Sequence, residues 1–425
     1  MNMKLRTERY WPLGALIFGC WLLSASASAQ ADVSEVIRIA PGDNVAFADA
    51  LQNAPAGAEV VLEGGVYRGN FEVRVPLKLR GEPGVVLTSD GHGTILRIFA
   101  TDVRVESLVL RDGGDDIGAT DACVYIEAPA ARSTIADSEM LRCAWGIWVN
   151  RAIGTLIEGN HIVGTTQKIL SDRGNGIHFF DARESIARDN QIELGRDGIY
   201  ISNSEGVLIE NNRMSDTRFG IHYMYSNRCR VIGNRVQNSA IGAAIMYSKE
   251  LVVSENHLLD NDAHGILFRD VLYSSIEGNV SEGNADGLFL GSSYFNVIRR
   301  NRFARNDLAA HVSSGSKDNE VTENDFIDNR QQVRFLDSKS IIWSGEGRGN
   351  YWSHYVGWDR DRNGVGDTRF LVTRLSDRLV YRFPVLRVIL ESPSMQLLQR
   401  IENQFPVIQG AVIVDPYPLI RPVTL

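Results

Sequence analysis

The chain has 425 residues, a net charge of −8 and 23% charged residues. That acidic balance excludes the basic footprint of a nucleic-acid-binding protein. The length would hold two or three average domains, but 39 glycines and few helix-favouring runs suit short strands and turns, a pattern that grows by repetition instead of by adding separate cores.

Lys4, Arg6 and Arg9 precede an apolar run from Trp11 to Leu23, and Ala27-Ser28-Ala29 supplies small residues before Gln30. This order reads as a secretory signal peptide over residues 1–29, cleaved on export to the periplasm or cell exterior. The apolar run is short for a membrane span. Cleavage leaves Cys123, Cys143 and Cys229, an odd number, so at least one thiol is unpaired or intermolecular. Cys123 and Cys143 stand about one repeat apart; a bridge between neighbouring coils and a pair of small buried thiols both fit that spacing.

Residues 36–58 read as a cap. Pro41-Gly42-Asp43 leads into Val45–Leu51, a short amphipathic helix of the kind that covers an exposed strand edge. Val60–Tyr67 and Val75–Leu79 then begin a series of coils, which continues less regularly through Val85–Leu87, Ile95–Phe99 and Val103–Leu110.

The repeat becomes strict from Gly146. Gly146, Gly176, Gly198, Gly220, Gly242, Gly265 and Gly287 each open an apolar strand, and each is followed 14 residues later by an asparagine: Asn160, Asn190, Asn212, Asn234, Asn256, Asn279 and Asn301. From Asn190 onward the step is 22 or 23 residues. A short β-rich unit at that period predicts an all-β, right-handed parallel β-helix over residues 30–342 with an N-terminal cap and roughly twelve coils, each about 4.8 Å thick. A propeller blade needs about 40 residues, and the leucine-rich-repeat pattern is absent. Asparagine tolerates a left-handed turn, and stacked asparagines can hydrogen-bond from coil to coil.

Period-two alternation sorts the two faces of the glycine strands. Ile177/Phe179, Ile199/Ile201, Ile221/Tyr223, Ile266/Phe268 and Leu288/Leu290 point inward. The outward second position reads Trp148, His178, Tyr200, His222, Ala244, Leu267 and Phe289; the fourth reads Asn150, Phe180, Ser202, Met224, Met246, Arg269 and Gly291. In-register stacking sets Met224 beside Met246 and on the same face as His222, with His178 two coils back. Thioethers with an imidazole suit Cu(I), so His222, Met224, Met246 and His178 are the copper candidates. An amphipathic ladder covered by a loop explains any one of them singly. His311 is a candidate for the same row, although the register slips near Ala309-Ala310. His161 and His257 read as exposed turn residues.

Gly113–Gly118 and Gly164–Gly174 break the period and form lateral loops. Residues 343–391 are a separate aromatic and acidic segment. Within it Asp359, Asp361, Asn363 and Asp367 take positions 1, 3, 5 and 9 of a calcium loop, with Gly364 at the turn, but Phe370 stands where a bidentate glutamate belongs. A loop held by its own Asx turns accounts for the same residues. Residues 392–425 combine a helix opened by Ser392-Pro393, with Met395, Leu398, Ile401 and Phe405 at helical spacing, and an apolar tail carrying Val412, Val414, Tyr417 and Leu419. The tail reads either as the cap of the last coil or as a surface for a partner.

The glycine–asparagine repeat, followed by Gly349-Asn-Tyr-Trp-Ser-His-Tyr355 and Trp358-Asp-Arg-Asp-Arg-Asn-Gly-Val-Gly-Asp-Thr368, resembles the NosD family, the periplasmic maturation proteins of nitrous oxide reductase. The resemblance implies a non-enzymatic accessory role. It also implies partners: an ABC transporter made of a membrane permease and an ATPase, a lipoprotein copper chaperone, and the reductase, whose copper–sulfide centre receives the copper. Association with the membrane would then be peripheral, through the permease. The competing reading is a carbohydrate-active enzyme, a polysaccharide lyase, hydrolase or epimerase. Such a site needs clustered carboxylates in a groove, whereas the outward rows carry Trp, His, Tyr, Phe and Met. Glu158, Glu210, Glu255 and Glu277 precede ladder asparagines and read as structural.

Overall fold

The computed structural model describes residues 35–313, 315–335, 341–372, 385, 392–404 and 413–423. The signal-peptide reading, Phe405 and Val412 lie outside those residues, as does the side chain of Leu398.

Each coil supplies one strand to each of three parallel sheets of 13, 12 and 13 strands. One coil runs through Asp197–Ser202, Leu208–Glu210 and Arg213–Ser215 before the chain enters the next at Phe219–Met224. The solenoid is therefore slightly longer than the expected twelve coils. The third sheet runs on to Tyr351–Trp352, which pairs with Asp325–Ile327, so Asn350-Tyr-Trp352 completes the last coil.

Inside, Ile199, Ile201, Ile221 and Ile266 are fully buried, stacked in register with the same positions above and below. The strand glycines are required by space. A Cβ on Gly198 would lie 2.5 Å from the Gly220 carbonyl oxygen, an approach real side chains do not make. The asparagines form a continuous buried ladder from Asn160 to Asn350. At Asn234 the amide nitrogen donates to Asn256 Oδ1 at 3.0 Å and to Ile209 O at 2.9 Å, while its backbone N–H donates to the same Asn256 Oδ1 at 2.9 Å. The left-handed residue at this turn is the one before the asparagine, as at Asn211, Glu255 and Arg300. A second ladder, Asn261–Asn284–Asn306–Asn329, closes another corner.

At the N-terminus the helix Asn44–Asn53 is capped by Asp43, whose carboxylate accepts from the Ala46 N–H at 3.0 Å. Phe47 and Leu51 close the first coil. At the other end Trp352 stacks on Phe326 at 4.2 Å. The tail is laid over that layer: buried Asp415 accepts from the Asn350 N–H at 2.7 Å and from Trp352 Nε1 at 2.8 Å. Leu419 is buried there, so it serves as cap and is not part of an open surface. Cys123 and Cys143 form a disulfide that ties neighbouring coils, and among the described residues Cys229 is the free thiol, buried, its pKa pushed up to about 11 by desolvation.

Candidate functional site

The outward rows assemble on the 12-stranded sheet as the alternation requires. Trp148, His178, Tyr200, His222 and Ala244 are register partners on successive coils, as are Phe180, Ser202, Met224 and Met246. The rings line up in a spine: Trp148 lies 4.0 Å from His178 and His178 4.6 Å from Tyr200, both tilted, and Tyr200 stacks on His222 at 4.3 Å. The two lateral loops meet beside it. Lys168 of one bonds Asp115 of the other, and the Ile117 carbonyl accepts from Trp145 Nε1 at 3.3 Å. Trp145 then buttresses Trp148.

Alongside the spine runs a groove of about 510 Å³, lined by Tyr125, Trp148, His178, Phe180, Ser202 and Met224, with Tyr225 at its edge. Its lining is aromatic, imidazole, hydroxyl, amide and thioether.

His222 is held from behind. Its Nδ1 lies 2.9 Å from Asp197 Oδ2. A carboxylate only accepts, so Nδ1 carries a proton, and in the neutral imidazole Nε2 is then the lone-pair donor. Nε2 is buried and has no hydrogen-bond partner. Arg218 binds both oxygens of Asp197 at 2.8 and 2.7 Å. Burial works against the Asp197 charge, but the bonds from His222 and Arg218 outweigh it and hold the carboxyl below its ordinary range. A carboxylate behind an imidazole whose other nitrogen is bare is the usual support of a metal-binding histidine.

Of the four copper candidates, Met224 and Met246 are direct register neighbours, and His222 shares the coil of Met224. Tyr200 donates its hydroxyl to Met224 Sδ at 3.3 Å. Met246 also packs against an apolar cluster of Ile241, Ala244 and Leu267. His178 is not brought into the group. The Tyr200 ring stands between it and His222, and its Nε2 is engaged by Ser202 Oγ at 3.2 Å. Burial, with the Arg196 guanidinium nearby, pulls the His178 imidazole down to about 3, so it stays neutral. The donor set of one lone-pair nitrogen and two thioethers fits a soft monovalent ion. Among the described residues no three His, Cys, Asp or Glu side chains already enclose a metal position.

The Asp359 loop spends its side chains on itself. Asp359 accepts from the Asn363 and Gly364 N–H groups at 3.1 and 3.0 Å, Asp361 from Asn363 at 3.2 Å, and Asp367 from the Arg360 N–H at 2.9 Å. The loop also grips the tail: Gly366 N–H bonds Pro418 O at 2.8 Å, and the Ile420 N–H bonds Gly364 O at 3.1 Å. The helix Pro393–Gln404 has Ser392 as its cap, accepting from the Met395 N–H at 3.3 Å. Met395 is buried, while Leu397 and Ile401 are exposed; in the tail Val414 is half-buried and Tyr417 exposed. His161 and His257 sit at the starts of strands, not in turns, with His161 half-buried and His257 exposed. His311 does keep the register, as the partner of Phe289.

Sequence reasoning missed Asp197 and Arg218. The available signal was an acid directly before a strand glycine, found at Asp197-Gly198 and Asp286-Gly287.

A family model described as periplasmic copper-binding protein (NosD) matches residues 158–357. A relative from Pseudomonas aeruginosa named "Probable ABC transporter binding protein NosD" is 42% identical over 374 residues, 85% of this chain and 87% of the relative. The protein of the same name from Stutzerimonas stutzeri is 40% identical over 375 residues, 85% of this chain and 86% of that one. The chain belongs to the NosD family. Among solved structures, the family 28 exopolygalacturonase of Yersinia enterocolitica aligns at TM-score 0.58 and 11% identity, covering 72% of this chain and 78% of that one. The mannuronan C-5 epimerase A-module of Azotobacter vinelandii aligns at 0.54 and 13%, covering 72% and 96%. At those identities the likeness is one of fold. Among the described residues no helix is long and apolar enough to cross a membrane.

Proposed function

We propose that this NosD-family protein is a non-enzymatic periplasmic accessory that works with an ABC transporter and a copper chaperone to supply copper for the copper–sulfide centre of nitrous oxide reductase. Copper is its cargo, held as Cu(I) in passage by His222 Nε2, Met224 and Met246. The observation that carries this is the buried, unpartnered His222 Nε2, backed by Asp197, on the same sheet face as two thioethers in register on adjacent coils. The names borne by the relatives and the family support the transporter and the copper.

The test is the double variant M224L/M246L, which keeps volume and removes both sulfurs. The purified variant is expected to lose Cu(I) affinity at least tenfold against a colorimetric chelator and to fail to mature the reductase in cells. Normal maturation would remove these residues from the route.

The transporter is expected to meet the C-terminal end, where Val356, Trp358, Leu397, Ile401 and Tyr417 stand exposed. Changing Leu397 and Ile401 to glutamine leaves the buried Met395 in place and is expected to abolish co-purification with the permease; retained co-purification would move the docking surface elsewhere. Calcium in the Asp359 loop is a weaker proposal, because the carboxylates are already engaged there.

A further inference from the structure

Two to four coils beyond His222, the same sheet face carries a second imidazole–carboxylate group that the copper reading does not use. His264 and Asp286 are register partners at the position before the strand glycine, and His311 is the partner of Phe289 one coil further on. Asp286 Oδ2 lies 3.3 Å from His264 Nδ1 and 3.4 Å from His311 Nδ1. These contacts are close but poor as hydrogen bonds. His264 Nδ1 is buried and has no aligned partner, and His311 Nε2 is buried and bare.

The separations have another meaning. Ligands bound at about 2.0–2.1 Å around a tetrahedral ion lie about 3.3–3.4 Å from one another. Both observed separations match the length of such an edge. The Phe289 ring walls the group, 5.2 Å from His264 and 5.0 Å from His311. The side chains of His264, Asp286 and His311 keep 22%, 17% and 18% of their surface exposed, so an ion can reach them.

We propose that His264, Asp286 and His311 form a second metal site, for a divalent ion of the zinc or Cu(II) class, with its fourth position open to water or to a donor from a partner. Two imidazoles and a carboxylate are borderline donors and carry one negative charge, which sets this group apart from the thioether set at Met224 and Met246. In the conformation described, the carboxylate oxygen lies between the imidazoles, and the donors do not yet enclose a point; turning the carboxylate and the His311 ring about χ2 opens the centre to the ion. The proposal does not depend on the copper reading.

Zinc chloride alone is the probe, being redox-inert. By chelator competition the wild-type protein is expected to bind one Zn²⁺ more per chain than H264Q/H311Q, and D286N is expected to lose at least tenfold in affinity, while M224L/M246L binds Zn²⁺ as the wild type does. Coincident thermal melts check that the variants fold. A measurement on the wild type alone guards against variants that do not: Zn²⁺ is expected to shield His264 and His311 from diethyl pyrocarbonate, read peptide by peptide by mass spectrometry. Equal Zn²⁺ binding by wild type and H264Q/H311Q, or unchanged labelling of both histidines, would mean that the two imidazoles only pin a shared carboxylate, and would overturn the proposal.

Discussion

A ladder asparagine in this fold uses both its amide oxygen and its amide nitrogen in several hydrogen bonds, most of them buried. Asn256 Oδ1 accepts from the N–H and the amide of Asn234, and its own amide donates to Val231 O, Ser254 O and Asn279 Oδ1. Replacing it by alanine strands groups on three coils at once. At about 1–3 kcal/mol for each group left without a partner, and allowing for relaxation, N256A is expected to cost about 3–4 kcal/mol in chemical denaturation. Exposed Arg235, one residue past the neighbouring ladder asparagine, is expected to tolerate alanine within about 0.5 kcal/mol. The residue scale is also where the sequence was least legible. His222, Met224 and Met246 could be placed on one face because period two fixes which side chains share it. Asp197 could not be paired with His222, because the two lie 25 positions apart and the contact runs diagonally between coils. His178 kept its predicted row but not its predicted company, because the intervening Tyr200 ring fills the space between the imidazoles.

At the scale of elements, the strands and the N-terminal cap were readable and the C-terminal end was only half so. The glycine strands announce themselves by alternation, and Asp43 by its place before an amphipathic run. Asn350 carries no local sign that it belongs to the ladder, since the segment before it departs from the 22-residue step; only the register shows it. The end of the rod is fastened through two buried carboxylates, Asp325, which accepts from the Val423 N–H at 2.7 Å, and Asp415. Burial raises both, Asp325 to about 6, the Val423 N–H and Arg302 only partly offsetting it. A carboxyl raised in the folded state means that the folded protein binds more protons than the unfolded chain between about pH 4 and 6. The stability contributed by protonated Asp325 is therefore full below about pH 4 and lost as pH rises through 6, by on the order of 2 kcal/mol. D325N keeps an acceptor for Val423 and cannot ionise. Its melting temperature is expected to exceed that of the wild type at pH 7 and to converge with it at pH 4; a wild-type advantage at pH 7 would mean that the ionised carboxylate is the favoured partner of the tail.

At the scale of the whole molecule, a solenoid is a stack in which each coil is stabilised by its neighbours, and its two ends decide how much strand edge is left open. The helix Asn44–Asn53 closes one end. The other is closed by residues 413–423, which pair Val414–Asp415 antiparallel with Phe370–Leu371 and bond Leu419 N–H to Asn350 O at 2.9 Å. Gly349 N–H bonds Tyr417 O at 2.8 Å, so the tail is stitched to the last coil on both sides of the ladder asparagine. From the sequence alone, a tail rich in Val, Ile and Pro served equally well as a cap or as a free docking segment, because composition does not say which apolar surface it meets. The buried Asp415 and Leu419 separate the two roles, since neither is available to a partner while it holds the end. Removing residues 413–425 uncovers Trp352 and leaves the Asn350 N–H and Trp352 Nε1 without acceptors. The truncated protein is expected to keep its far-ultraviolet β signature, because the inner coils support one another, but to melt at least 5 °C lower and to self-associate through the opened edge in analytical ultracentrifugation. A monomeric truncation with an unchanged melting temperature would show that the tail is dispensable to the rod, and would return it to the role of a docking segment.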